Sequence, residues 1–194
     1  MGEYEIEGVS DTLAALCGAE NILTDFYEDP LAADTLTGRV TDILIEFVKW
    51  NNKEIGGRQN LLSGMTTGYG IWMPRDSCVT AEDCTVMCGN IYYQNHFKAH
   101  TQKLAQSFNK TLIEVHMEGN HQIKEFGNTY GISMMTIENL SDMDSEYRND
   151  IKTLLGKRNF LINTHPDHME KVLEFTGIKG IMLAIDAPSA QEAN

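Results

Sequence analysis

The sequence predicts an α/β fold built on a parallel sheet, and three observations carry that expectation. Five apolar runs of strand length end on ionisable residues: Ile71-Trp-Met-Pro-Arg-Asp76, Leu112-Ile-Glu-Val-His-Met-Glu-Gly-Asn120, Ile132-Ser-Met-Met-Thr-Ile-Glu138, Phe160-Leu-Ile-Asn-Thr-His165 and Ile181-Met-Leu-Ala-Ile-Asp186. Helix-start signals follow them: Thr80-Ala-Glu-Asp83, Ser141-Asp-Met-Asp144 and Ser189-Ala-Gln-Glu192 resemble capping boxes, and Pro166 suits a first helical turn. The chain of 194 residues has the length of a single domain spanning 1–194. Strands alternating with helices imply a parallel sheet, and the ligand site of such a sheet lies at the carboxyl ends of its strands.

The N-terminal quarter reads as helical. Ser10-Asp-Thr-Leu opens a short helix ending at Gly18, and Glu28-Asp-Pro30 opens a longer one. In the longer helix Leu36, Val40, Ile43, Leu44, Phe47 and Val48 recur at intervals of three and four up to Gly56-Gly57. The glycines between 57 and 70 mark a loop lying over the site. The pattern then gives one long helix over 85–108, a short one over 122–130, a third over 141–155 and a last over 167–175.

The most informative stretch is 112–120. Read as a strand, it buries Ile113, Val115 and Met117 on one side and lines the other with Glu114, His116 and Glu118. His116 and Glu118 would then stand roughly 7 Å apart at the strand's end, able to hold a metal or trade a proton. A buried histidine hydrogen-bonded to a carboxylate has the same signature. Glu138 and Asp186 equally suit the entry to a helix, where the dipole favours a negative charge, and His165 before Pro166 equally shapes a turn. Asp76 is open to a rim role or to an ion pair with Arg75. Trp50, Trp72, Tyr92 and Tyr93 suit stacking on a flat ligand or packing in the core.

Composition excludes some classes. Fifteen basic against 28 acidic residues give a net charge of −13, which disfavours nucleic acid and anionic membranes as partners. No apolar run approaches the roughly 18 residues needed to span a bilayer, and the start lacks a secretory pattern, so the expected location is cytoplasmic. Cys17, Cys78, Cys84 and Cys88 lack the CxxC spacing of a zinc knuckle or thioredoxin-type site.

Several segments together resemble the uroporphyrinogen decarboxylase family, which includes corrinoid-dependent methyltransferases. The residues are Glu20-Asn-Ile-Leu-Thr-Asp-Phe-Tyr-Glu-Asp-Pro30 with Val40-Thr-Asp-Ile-Leu-Ile-Glu46, Arg75-Asp76-Ser77 before Thr80-Ala-Glu-Asp-Cys84, Val115-His-Met-Glu-Gly-Asn120, Ile137-Glu-Asn-Leu-Ser141, and Gly180-Ile-Met-Leu-Ala-Ile-Asp-Ala-Pro-Ser189. The resemblance covers the C-terminal part of the family and implies a TIM-type (β/α)8 barrel. A closed barrel takes roughly 250 residues, so the expectation here is a partial or shortened barrel of about five parallel strands, completed by a second copy or by a partner chain.

The resemblance implies one of two reactions. Decarboxylation of a tetrapyrrole side chain needs no cofactor and would use Asp76, His116 and Glu118 as catalytic residues, with Arg75, Glu138 and His165 binding substrate. Methyl transfer from a corrinoid to a thiol would use zinc, with His116, Glu118 and Asp186 as ligands and Glu138 as the alternative to Asp186. Glu118 stands where the family's His-x-Cys motif has cysteine, and the arginines that grip substrate carboxylates have no counterpart. A non-catalytic binding or assembly subunit is the third expectation.

Overall fold

The computed structural model describes residues 6–59, 64–66, 69–141 and 143–185. Three helices come first: α1 (Val9–Cys17), α2 (Ala19–Glu28) and α3 (Pro30–Gln59). The start of α3 is fixed chemically, because the Asp29 carboxylate accepts the Ala32 N–H at 3.1 Å while Pro30 occupies the first helical position. It continues through Gly56-Gly57 instead of stopping there.

A two-stranded antiparallel hairpin follows, β1 (Gly64–Thr66) on β2 (Trp72–Pro74). The main sheet consists of β3 (Cys78–Thr80), β4 (Thr111–Ile113), β5 (Ile132–Glu138), β6 (Asn159–Thr164) and β7 (Ile181–Ile185), all parallel and adjacent in chain order. Between these strands run α4 (Asn90–His96), α5 (Lys98–Gln106), α6 (Ile123–Asn128), α7 (Ser145–Leu154) and α8 (Met169–Thr176). Strand order never reverses, unlike the doubly wound sheets that switch direction midway. The succession is compatible with an arc of a barrel. At one margin Ile6 bridges in parallel to Thr80; at the other, β7 has partly exposed residues throughout.

Burial explains why these runs became strands. Leu112 and Ile113 are fully buried, as are the consecutive Phe160, Leu161 and Ile162, so both faces of the sheet are covered, as parallel strands require. Tyr93, Phe97, Leu104, Ile123, Phe126 and Ile151 cover it from the helices. An ion pair between Lys103 and Asp42 (2.6 Å) and a hydrogen bond between His100 Nε2 and Asp34 Oδ1 (2.9 Å) fasten α5 to α3.

Three expectations are corrected. The run 71–76 is not a strand of the main sheet, because only Trp72–Pro74 is extended and it belongs to the hairpin. The long helix expected over 85–108 is a 3-10 turn (Asp83–Met87) followed by α4 and α5; Gly89 caps the start of α4, and the helix breaks at Phe97, whose ring is buried against Phe26. The strand expected over 112–120 ends at Ile113, and the chain turns into a 3-10 helix over Met117–Gln122.

Candidate metal centre at the carboxyl ends of the strands

Beyond β4 the backbone stays extended for three more residues, held from both sides. The Glu114 N–H donates to the Thr80 carbonyl (2.8 Å), and the Val115 N–H donates to the Thr136 hydroxyl (2.9 Å). Val115 buries, so the alternation inherited from the strand puts Glu114 and His116 on the same side. Glu138 arrives as the last residue of β5. Asn139, at φ 46, then turns the chain in the left-handed region that asparagine tolerates better than most residues.

The result is an imidazole surrounded by carboxylates. His116 Nε2 lies 3.7 Å from Glu114 Oε2 and 3.5 Å from Asp83 Oδ2, and His116 Nδ1 lies 3.6 Å from Glu138 Oε1. One donor atom each from Glu114, His116 and Glu138 fall within 4.8 Å of one another. Donors placed tetrahedrally around zinc at 2.0–2.1 Å stand roughly 3.3 Å apart, so Glu114, beside Nε2, and Glu138, beside Nδ1, would have to close in on one ring nitrogen to seat an ion. One nitrogen and two carboxylates also form a donor set that zinc accepts while keeping a position open.

Burial pulls the His116 pKa down, but Glu114, Asp83 and Glu138 outweigh it and raise the value above 6.5. Asp83 is raised as well, by burial first, with Asp11, Glu114 and Glu7 adding to the rise and His116 opposing it.

A second carboxylate pair lies behind this cluster and holds the end of β3 in place. Glu82 is buried and accepts the N–H groups of Val9 (3.3 Å) and Ser10 (2.9 Å) at the start of α1, together with the Thr101 hydroxyl (3.0 Å). In return Asp11 of α1 accepts the N–H groups of Asp83 (2.9 Å) and Cys84 at the start of the 3-10 turn. Each carboxylate caps the other's helix, which sets the position from which Asp83 reaches His116. Burial, with Asp11 nearby, raises Glu82 from 4.5 to about 7 against the pull of its hydrogen bonds.

The residues singled out from sequence divide into two groups. His116 and Glu138 meet, and His165 follows β6 at the same end of the sheet, where its ring accepts the Asp167 N–H at 3.3 Å. Glu118 does not share a face with His116, because the 3-10 turn carries it into an exposed position. Arg75 and Asp76 do not lie at the carboxyl rim. Both are exposed in the turn before β3, where the Asp76 carbonyl accepts the Asn109 N–H (2.8 Å) just ahead of β4, so they sit at the amino end of the sheet. Asp186 lies outside the described residues.

The acidic end of the first main strand is Glu82-Asp83, which sequence reading took as part of a helix cap. Asp11 carried no signal at all, since its partners are some 72 residues away. Among the described residues, no helix is long and apolar enough to cross a membrane. No family model, curated protein or solved structure matches the chain.

Proposed function

We infer that this chain is a shortened relative of the uroporphyrinogen decarboxylase family that holds a divalent metal, zinc by its donor set, between Glu114, His116 and Glu138. The reaction that best fits this reading is methyl transfer from a corrinoid to a thiol. The observation that carries it is the convergence of three metal-ligating atoms within 4.8 Å at the carboxyl ends of adjacent strands. When bound, the metal would lower the pKa of a thiol and hold it as the nucleophile. His116 supplies the nitrogen donor once deprotonated, Glu114 and Glu138 supply the balancing charge, and Asp83, on the same side of the ring as Glu114, adds further negative charge beside the ion.

Decarboxylation is the less favoured reading. It relied on Asp76 and Arg75, and these stand at the opposite end of the sheet from His116. In the favoured reading the five-stranded sheet is an arc of a (β/α)8 barrel whose remaining strands come from a second copy or another chain, and the partial exposure along β7 supports that. Four free cysteines suit a reducing, cytoplasmic setting.

The test is metal content followed by turnover. Purified protein dialysed against zinc should retain one equivalent, and His116→Ala and Glu138→Gln should lose it while Glu118→Gln keeps it. The zinc-loaded chain should then demethylate methylcobalamin in the presence of a small thiol. Retention of zinc by His116→Ala would remove the basis of the proposal.

A further inference from the structure

A second cavity, of about 170 Å³, opens between α7, α8 and the segment that follows β5. Its polar wall carries Arg148, Lys171, His168 and Ser141. The Ser141 hydroxyl and His168 Nδ1 are 2.9 Å apart, which holds the imidazole in one orientation. Leu140 and Val172, both buried, form the floor together with the partly buried Phe175.

The charge pattern here is opposite to that of the chain as a whole. Carboxylates outnumber basic residues 28 to 15, yet no carboxylate of the described residues lines this cavity, whereas Lys98, Lys103 and Lys124 each pair with one. Among the described residues neither Arg148 nor Lys171 has an ion-pair partner, although both face the same cavity. Two cations lining one cavity without a counter-charge give it a positive local potential, which attracts a small anion. A guanidinium offers paired N–H donors that match the oxygens of a carboxylate or phosphate.

We propose that Arg148, Lys171, His168 and Ser141 form a binding site for a small oxyanion, a carboxylate or phosphate headgroup on a short apolar stub. The volume sets the size, since it falls below the roughly 300 Å³ at which drug-sized sites begin. Leu140 and Val172 give the stub an apolar surface. This site is independent of the metal reading, since it shares no residue with Glu114, His116 or Glu138.

The experiment is calorimetric titration of the metal-free full chain with inorganic phosphate and, separately, with butyrate. One saturable site is expected for at least one probe, and the tighter probe identifies the headgroup. Arg148→Met and Lys171→Met should each weaken binding roughly tenfold or more, as the loss of a charge-assisted hydrogen bond requires. Lys103→Met should bind as the parent does. Should Arg148→Met fail to fold, the exposed Lys171→Met carries the test. The proposal is overturned if neither probe saturates, if the folded cavity variants bind like the parent, or if Lys103→Met weakens binding as much as they do.

Discussion

Replacing Glu82 with glutamine should invert an ordinary expectation, making the protein more tolerant of alkaline conditions than the parent. Glu82 is buried, and the folded chain raises its pKa from 4.5 to about 7. Between those values the native state keeps the proton and the unfolded state gives it up. Rising pH therefore favours unfolding across that window. A rise from 4.5 to about 7, at 1.36 kcal/mol per unit, corresponds to about 3 kcal/mol of stability present below pH 4.5 and lost by the time pH passes 7. Glutamine has the shape of the protonated acid and does not titrate, so it removes this dependence.

The assay is urea unfolding of the parent and of Glu82→Gln at pH 5, 6, 7 and 8, read as the difference in unfolding free energy at each pH. Taking the difference cancels titrations the two proteins share, His116 among them. The parent should lose about 2–3 kcal/mol relative to the variant between pH 5 and 8, most of it below pH 7. Three donors and the start of α1 act in the opposite direction, since all of them favour the charged carboxylate. A flat difference, or one in which the parent gains with rising pH, would mean that those donors outweigh burial and that the reasoning is wrong.

Zinc affinity should fall as pH drops through the raised His116 value, which starts above 6.5, because the metal competes with a proton for the ring; calorimetry in buffers of different ionisation enthalpy would show the proton released. The metal-free protein should show the matching stability trend, in which the favourable charge of His116 is fully present below pH 6.5 and fades above it, and His116→Gln should abolish that slope. Asp11→Ala should cost about 1–2 kcal/mol in thermal or chemical unfolding, because it uncaps the Asp83 and Cys84 N–H groups. Gly8→Ala should be more damaging, since its Cβ would stand 1.7 Å from the Ala81 carbonyl oxygen and force α1 away from the sheet; a loss below about 1 kcal/mol would contradict that packing.

The parallel sheet was legible because strands covered on both faces need mainly apolar runs, which 132–138 and 160–164 supply, and 181–185 is equally apolar although none of its residues is fully buried. Run length failed as a guide at two places. Trp72-Met-Pro74 is as apolar as a core strand, yet it pairs in a hairpin, and the true β3, Cys78-Val-Thr80, is too short to show a period. That displacement moved the expected acidic tip from Glu82-Asp83 to Asp76. Beyond Ile113 the alternation of side chains held for Glu114 and His116 but not for Glu118, because Gly119 and Asn120 pack into a turn that periodicity does not encode. The pairing of Glu82 with α1 and of Asp11 with the 3-10 turn depends on two loops meeting in space, and a linear reading has no access to it.

The arrangement around His116 is costly if it serves structure alone. Glu114, Glu138 and Asp83 place three carboxylates near one imidazole in a chain already at −13, and a single histidine proton offsets only one of those charges. A fold needing only an end to β4 could have placed neutral side chains there. The neighbouring Glu82 and Asp11, by contrast, each satisfy backbone donors that would otherwise be left unpaired, so their charges are explained by the helices they cap. Carboxylates without such a structural task, aimed at a ring that can shed its proton, are the charges that the proposed divalent cation would neutralise. The stability of the apoprotein should accordingly increase on adding zinc and by more than on adding magnesium, which prefers six oxygen donors and gains little from the imidazole. Equal stabilisation by the two ions at matched concentration would mean that the cluster acts as a diffuse negative patch, and the nitrogen donor would then have no part in binding.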